Sequence, residues 1–280
     1  MKKIVIPVII LILYTCVGYA QSNIKKIVSY NVLEGFQQDS VNQDKFVEWV
    51  TEINPDVVAF QEMNKFTQKS LEAFARRYGH PYAVLSKTDG YPVAISSKYP
   101  IVNVQKVVDN MWHAYIYANI DNIHFFVIHL SPHVLTKRQE EIRTIVAHAN
   151  MLPQDEPILI MGDFNSLDRS DSAQYNEKTL ENMRDVEKRR PNIHNLNKGE
   201  IDYSVMEYLT TNGFIDTFWL TNKNFIPSVS TKKYGTPSKR IDFIWANKVA
   251  AEKVISETIV HDKYTDVMSD HYPVLLELDF

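Results

Sequence analysis

Polar side chains that can bind a metal ion or move a proton stand at the ends of apolar runs in this sequence or, in one case, within such a run. Each run has the length and the Val, Ile and Phe content of a β-strand. Catalytic residues of α/β proteins commonly lie at strand ends, where a rigid scaffold holds them. The residues concerned are Asn31, Glu62, His129, Asp163, Asn165, Asp242, Asp270 and His271. Their recurrence at one kind of position predicts a shared site.

The chemistry of this set points to hydrolysis. Carboxylates and carboxamides without cysteine favour a hard cation, Mg²⁺, Mn²⁺ or Ca²⁺. Asp242 stands inside an apolar strand, where a carboxylate needs a partner, and Arg240 and His271 are both candidates. A histidine held by an aspartate is well oriented for proton transfer. Because no Gly-x-Ser-x-Gly, P-loop or dinucleotide motif is present, the set indicates metal-assisted attack by water.

The elements that must position these residues are visible as short periodic segments. Nine apolar runs predict strands at residues 26–32, 57–61, 93–96, 102–108, 114–120, 124–130, 157–161, 240–246 and 273–278. Helical spacing predicts helices around residues 46–53, 71–78, 142–149 and 205–209. The mixture has no repeats and no Gly/Ser linker, which favours a single α/β domain. With this many strands, two packed sheets covered by helices are favoured over one open sheet.

Composition narrows the class of protein. The 280 residues are 45% hydrophobic and 23% charged, which are values of a globular chain and not of a disordered or fibrous one. The net charge of −4 argues against a basic protein that coats nucleic acid. The single cysteine, Cys16, excludes a disulfide scaffold and a cysteine zinc site.

The first twenty residues have the pattern of a secretory signal peptide. A basic start is followed by an apolar run at residues 4–13 and by small residues up to Ala20. The run is shorter than the ~20 apolar residues that span a bilayer. We therefore expect a secreted or periplasmic domain of residues 21–280, with lipid attachment at Cys16 as the alternative. Cleavage removes two lysines, so the net charge becomes −6.

The set of motifs resembles the endonuclease/exonuclease/phosphatase superfamily, which includes deoxyribonuclease I-like nucleases, bacterial sphingomyelinases and inositol-polyphosphate 5-phosphatases. The resemblance covers about residues 25–280. The matching stretches, in the family's order, are residues 29–32 (SYNV), 60–62 (FQE), 94–101 (AISSKYPI), 129–130 (HL), 162–165 (GDFN), 240–243 (RIDF) and 269–274 (SDHYPV). It implies a four-layer sandwich in which two mixed β-sheets pack face to face with helices outside.

The resemblance also implies where a metal ion binds. Glu62 looks like the principal metal carboxylate, and Asn31 lies beside it in the family pattern. Asp270 contributes to the same metal region. The implied cofactor is Mg²⁺, or Mn²⁺ or Ca²⁺.

The remaining motif residues are implied to act on the phosphate. Asp163 and Asn165 look like the pair that orients the attacking water and the phosphate. His271, held by Asp242, looks like the base or a phosphate-binding imidazole. His129 matches a histidine near the leaving oxygen. Whether Asp163 or the His271–Asp242 pair accepts the proton of water is left open.

Residues 168–200 carry seven acidic and seven basic residues and few apolar ones. One interpretation is a solvated excursion on the surface. The other is a wall of the site, because the segment directly follows Asn165. In that case Arg184 and residues 188–190 are the groups expected to recognise a second phosphate.

The expected function is a secreted metal-dependent phosphoesterase, with a phosphodiesterase acting on nucleic acid ahead of a sphingomyelinase-like phospholipid phosphodiesterase or a phosphomonoesterase. The acidic charge argues mildly against a nuclease, although residues 232–233 and 239–240 offer local basic patches. A lipid enzyme needs an exposed apolar hairpin, for which residues 111–113 are the candidate. A non-enzymatic binding module is a further alternative, but no motif residue is lost. We expect no stable protein partner and no transmembrane segment in the mature chain.

Overall fold

The computed structural model describes residues 24–280, so the signal peptide and Cys16 lie outside the described residues and stay predictions. Its strands are β1 Ile24–Asn31, β2 Val57–Gln61, β3 Tyr82–Leu85, β4 Ala94–Ser97, β5 Val102–Val107, β6 Ala114–Ile120, β7 Ile123–His129, β8 Ile158–Asp163, β9 Ile215–Asp216, β10 Asp242–Ala246, β11 Val254–Ile259 and β12 Val274–Asp279. Its longer helices are α1 Ser40–Ile53, α2 Gln68–Arg76, α3 Leu135–Asn150, α4 Glu177–Arg189 and α5 Ser204–Thr211. Single helical turns lie at Leu33–Phe36, Phe218–Thr221, Lys248–Ala251 and Thr265–Met268, and a 3-10 helix at Arg169–Gln174.

The strands form two six-stranded mixed sheets. One has the order β11-β12-β1-β2-β4-β3 and the other the order β5-β6-β7-β8-β10-β9. The β1–β2 and β7–β8 pairs are parallel, and the other pairs are antiparallel. Helices lie on the outer faces, so the predicted four-layer sandwich is confirmed.

Three apolar clusters hold the layers together. The central one fills the space between the sheets with residues such as Ile27, Ile95 and Val127. The outer two lie under α1 and α2 and under α3 and α5. Because the central strands are covered on both faces, they read as continuous apolar runs in the sequence. Among residues 24–280, no helix has both the length and the apolar content needed to cross a membrane.

All nine predicted strands and all four predicted helices have a counterpart, with ends that differ by a few residues. Strands β3, β9 and β11 were not predicted, because they are short or partly exposed. Helix α4 was not predicted either. It lies inside the charged segment 168–200 and buries a single residue, Leu180.

Arg240 anchors that charged segment to the second sheet. Its fully buried guanidinium donates to Asp171 at 2.9 Å and to Asp216 at 2.6 and 3.1 Å, and it packs on the ring of Phe243. Arg240 is therefore not the partner of Asp242. A buried cation with two carboxylates is tolerated in the core because each charge is paired.

Replacing Arg240 by methionine keeps the bulk of the side chain but leaves Asp171 and Asp216 without their cation. We expect Arg240→Met to lower the free energy of unfolding by about 3–5 kcal/mol, the usual effect of breaking a buried ion pair. The control is Arg169→Met, which removes an exposed pair with Glu207 and should barely change stability. Urea unfolding measures both, and equal effects would contradict the assignment.

Candidate active site

The predicted site residues converge where the two sheets end. Strand register places His129 opposite Asp163 on β7 and β8, and Asp163 opposite Asp242 on β8 and β10. In the facing sheet, Asn31 ends β1, and Glu62 directly follows the end of β2. The site is therefore built from both sheets.

Gly162 allows β8 to approach β7 at this point. Its φ is +144°, and a Cβ atom there would lie 2.0 Å from the carbonyl oxygen of Ile128. Any larger residue would push Asp163 away from His129. The glycine of the GDFN motif is thus a requirement of strand packing.

The Asp163 carboxylate is the centre of the cluster. Its Oδ2 lies 3.1 Å from Asn31 Nδ2, 3.4 Å from His129 Nε2 and 3.8 Å from His271 Nε2. Its Oδ1 accepts from the backbone N–H of Asn165 at 2.8 Å. Burial raises the pKa of Asp163 well above its ordinary value, although the positive charge of His271 acts in the opposite direction.

His271 and Asp242 form the predicted pair. His271 Nδ1 donates to the two carboxylate oxygens of Asp242 at 2.9 and 3.1 Å, and Ser228 Oγ donates to Oδ2 at 2.7 Å. Burial lowers the pKa of His271, but Asp242 and the nearby Asp163 and Asp270 raise it well above the ordinary value. The imidazole is therefore held as a cation.

Glu62 is held on the opposite side by an unusual backbone segment. Its Oε1 accepts from Asn31 Nδ2 at 3.2 Å, and its Oε2 accepts from the backbone N–H of Glu34 at 2.9 Å. Glu34 lies in the turn Leu33–Phe36, where φ is between +48° and +67° at every residue. Left-handed backbone costs ~1–2 kcal/mol per L-residue, so the turn that binds the Glu62 carboxylate is strained.

The orientation of Asn31 bears on its expected place beside the metal ion. Its Oδ1 accepts from the backbone N–H of Leu33 at 3.1 Å, which leaves the amide nitrogen to face Glu62 and Asp163. The nitrogen donates to both acids and fixes their separation. In this orientation Asn31 donates to both carboxylates, and its role as a metal ligand stays a prediction.

Oxygen donors that fit a hard cation remain in Glu62 and the half-exposed Asp270. The pKa of Glu62 is raised mainly by burial, and the nearby charge of Asp270 raises it further. The hydrogen bond from the N–H of Glu34 acts in the opposite direction. Asp163, Asp242 and His271 also form a compact buried group, with possible ligand atoms within 4.8 Å of one another. Because His271 Nδ1 is already bonded to Asp242, that group suits proton transfer better than metal binding.

The sequence profile of the Endonuclease/Exonuclease/phosphatase family matches residues 28–271. The chain belongs to this family. Family members hydrolyse phosphate esters, and the protein is accordingly a hydrolase of that class. An uncharacterized protein of Caenorhabditis elegans, F14F9.5, is 24% identical over 301 residues, which cover 94% of each chain.

Solved structures show the same fold. An AP endonuclease from Archaeoglobus fulgidus superposes with a TM-score of 0.67, at 18% identity over 91% of this chain and 100% of that one. The 3′ phosphatase NExo from Neisseria, bound to a product DNA hairpin, gives a TM-score of 0.70 with the same identity and coverage. Both are similar to this family member in the whole described sandwich.

Arg184 is bound by other residues of the charged segment. Its guanidinium donates to the carbonyl of Gly199 at 2.8 Å, to Glu177 at 3.1 Å and to Glu200 at 2.7 Å. These contacts join helix α4 to the end of the segment 168–200. Arg184 is thus engaged within the segment, and recognition of a second phosphate by Arg184 and residues 188–190 stays a prediction.

His113 is a site neighbour that the motifs did not reveal. Its ring is only 5% exposed and stacks on His129 with a centroid distance of 4.1 Å and an interplanar angle of 24°. Tyr91 contacts it edge-on at 5.2 Å. The β6–β7 register pairs Ala114 with His129 and so brings the preceding residue, His113, close to His129. This register cannot be predicted from the sequence.

The stack contributes to the orientation of the His129 ring. His129 Nδ1 is buried and has no hydrogen-bond partner among residues 24–280. Burial lowers the pKa of His129 well below its ordinary value, and His113 and His271 add to this shift. The protein thus holds one neutral imidazole, His129, and one cationic imidazole, His271, on either side of Asp163.

Asp242→Asn should remove the charge that keeps His271 protonated and aligned. We expect the pKa of His271, followed by NMR titration of the ring, to fall, and activity to fall nearly as far as in His271→Ala. The double variant should be little worse than either single one. The exposed Asp44→Asn is the control, and losses that multiply would show that the two residues act independently.

Removing the His113 ring should leave the His129 side chain in place but with a less well-defined ring orientation. We expect His113→Ala to lower kcat roughly 10–100-fold with little change in KM, and His113→Phe to restore most of the rate. The half-exposed His148→Phe serves as the control. In a His129→Ala background, His113→Ala should have almost no further effect, and a full additional loss would contradict a role through His129.

Proposed function

We propose that this family member is a divalent-metal-dependent phosphodiesterase that acts on nucleic acid through in-line attack of water. The observation that carries the proposal is the buried Asp163 carboxylate between a neutral and a cationic imidazole, with Glu62 opposite. Such a site presents an acid, a base and a metal carboxylate to one phosphate. In the same proposal, residues 1–20 direct export, and residues 21–280 are the secreted or periplasmic enzyme.

Glu62 and Asp270 are the residues that would hold the cation. We favour Mg²⁺ over Mn²⁺ and Ca²⁺ because few protein oxygens are available and Mg²⁺ keeps several of its waters. When bound, the ion offsets negative charge on the phosphoryl oxygens. The raised pKa of Glu62 is consistent with a carboxylate built to face a cation.

The protein side chains divide the proton transfers. The His271 imidazolium, held by Asp242, donates to a phosphoryl oxygen, and neutral His129 supports the leaving oxygen through Nε2. Asp163 and Asn165 align the attacking water. The raised pKa of Asp163 suits acceptance of the proton of that water near neutral pH, so we assign Asp163 as the general base.

The choice of nucleic acid rests on the comparisons. The similar structures include an AP endonuclease and a 3′ phosphatase bound to DNA. The phospholipid alternative is favoured by one observation, an apolar surface on strand β5 and the loop after it. Val102, Val104 and Val108 are exposed there, and Trp112 is 45% exposed. A membrane interface would bind such a surface.

A substrate panel separates these functions. The purified protein with Mg²⁺ should hydrolyse plasmid DNA or RNA faster than sphingomyelin vesicles, inositol phosphates or an aryl phosphodiester. A preference for sphingomyelin would instead indicate that the exposed surface of β5 binds the membrane interface. Absence of hydrolysis across the panel would favour a binding module that retains the fold.

Glu62→Gln tests the metal site, because it keeps the shape of the side chain and removes its charge. We expect activity to fall by orders of magnitude while thermal stability is retained, and excess EDTA to abolish turnover of the wild type. The control is Glu72→Gln, which removes an exposed ion pair with Arg76 on α2. Full activity in EDTA would refute the metal mechanism.

A further inference from the structure

Lys239 is a cation without a counter-ion near the active site. Among residues 24–280, no acidic or polar partner contacts its ammonium group, although the side chain is half-buried. Its backbone is fixed, since the N–H groups of Ser228 and Val229 donate to its carbonyl at 2.8 and 3.0 Å. Burial lowers the pKa of Lys239, and no acid opposes the shift. The next residue, Arg240, is paired with two carboxylates, so the fold provides partners for one of two adjacent cations only.

Lys239 lines three cavities of the described chain, of which the largest, about 720 Å³, lies toward Asn176 and Pro237. The two smaller ones are closer to the site. One, of about 120 Å³, is also lined by Asn165 and Arg138 and so borders the GDFN motif. The other, of about 140 Å³, is lined by Met183 and Asn195 of the segment 168–200. This segment therefore lines a cavity that borders Asn165, and its role as a wall of the active site itself stays a prediction.

The cavity beside Asn165 has a positive balance of charge. Arg138 donates to Ser166 Oγ at 3.0 Å, to the Ser131 carbonyl at 2.9 Å and to Asn195 Oδ1 at 2.8 Å, and none of these three partners is charged. Asp202 is the one carboxylate among its lining residues. Asp202 already accepts from the backbone N–H of Ser204 and from Asn197 Nδ2. The lining thus has two cations and one carboxylate. Glu141 and Asp163 lie close enough to Arg138 to stabilise its charge as well, so Lys239 is the cation without a nearby acid.

We propose that the cavity lined by Lys239, Arg138 and Asn165 binds a second anionic group of the substrate, a phosphate next to the one that is hydrolysed. A partly buried ammonium is costly unless a ligand supplies the counter-charge. The same cation repels a choline headgroup, so this subsite favours a polyanionic substrate over sphingomyelin. The proposal rests on the proposed function, because it takes the phosphate beside Asp163 as the reacting one.

Two nucleotide substrates that differ by one phosphate test the subsite. They are the 4-nitrophenyl ester of thymidine 5′-phosphate, with and without a 3′-phosphate. We expect Lys239→Met to raise KM roughly tenfold or more for the 3′-phosphorylated compound, with kcat nearly unchanged. The other compound should be unaffected, and Lys239→Arg should retain the preference. The exposed Lys223→Met is the matched control.

Other results would overturn the subsite. Equal losses on both compounds would assign Lys239 a structural role toward Asn165. No change on either compound would show that Lys239 does not contact the substrate. A Lys239-dependent KM for inositol 1,4-bisphosphate, with none for the 3′-phosphorylated nucleotide, would place the second phosphate on a sugar alcohol and not on a nucleic acid.

A binding measurement separates failure of the subsite from failure of the proposed function. Calorimetry with inorganic phosphate in EDTA uses the His271→Ala protein, in which the catalytic imidazolium is absent. Binding that survives His271→Ala and is lost on adding Lys239→Met supports the anion site, even if no substrate of the panel is hydrolysed. If the protein hydrolyses DNA but Lys239→Met does not change phosphate binding, the subsite is refuted and the proposed function stands.

Discussion

Burial of the Asp163 carboxylate is the constraint on which the site depends. A buried carboxylate needs compensation. Asp163 accepts hydrogen bonds from Asn31 on the facing sheet and from the backbone N–H of Asn165, and the rings of His129 and His271 lie 3.4 and 3.8 Å away. Neither sheet alone carries this set. The packing that brings the sheets together therefore also creates the reactive centre, and slippage of β8 by one residue would point Asp163 to the opposite face.

The same environment gives two histidines opposite charges. His271 has a carboxylate behind it and is held as a cation, whereas His129 has a neutral ring behind it and stays uncharged. Both rings face Asp163, so the difference in charge arises from the group on the other side of each ring, Asp242 for His271 and His113 for His129. An enzyme that must donate and accept protons around one phosphate can use this contrast without any change of residue type.

The motif residues could be predicted because strand ends concentrate them, and the two-sheet fold followed from the number of apolar runs. The left-handed turn Leu33–Phe36 could not be predicted, since only Gly35 among its residues favours positive φ. His113 was missed because its contact depends on cross-strand register. The contacts of Arg184 were not predicted either. Its charge suggested phosphate binding, but Glu177 and Glu200 pair with it in three dimensions.

The adjacent cations Arg240 and Lys239 connect stability with specificity. Arg240 fixes Asp171 at the start of the charged segment, and the later part of that segment closes the cavity at Lys239. Arg240 thus fixes the segment that lines the cavity at Lys239. Changes along residues 168–200 can alter what Lys239 faces without touching Asp163 or His271. Selectivity for the rest of the substrate is therefore separable from the chemistry of the phosphate, as expected where peripheral loops are joined to a common scaffold.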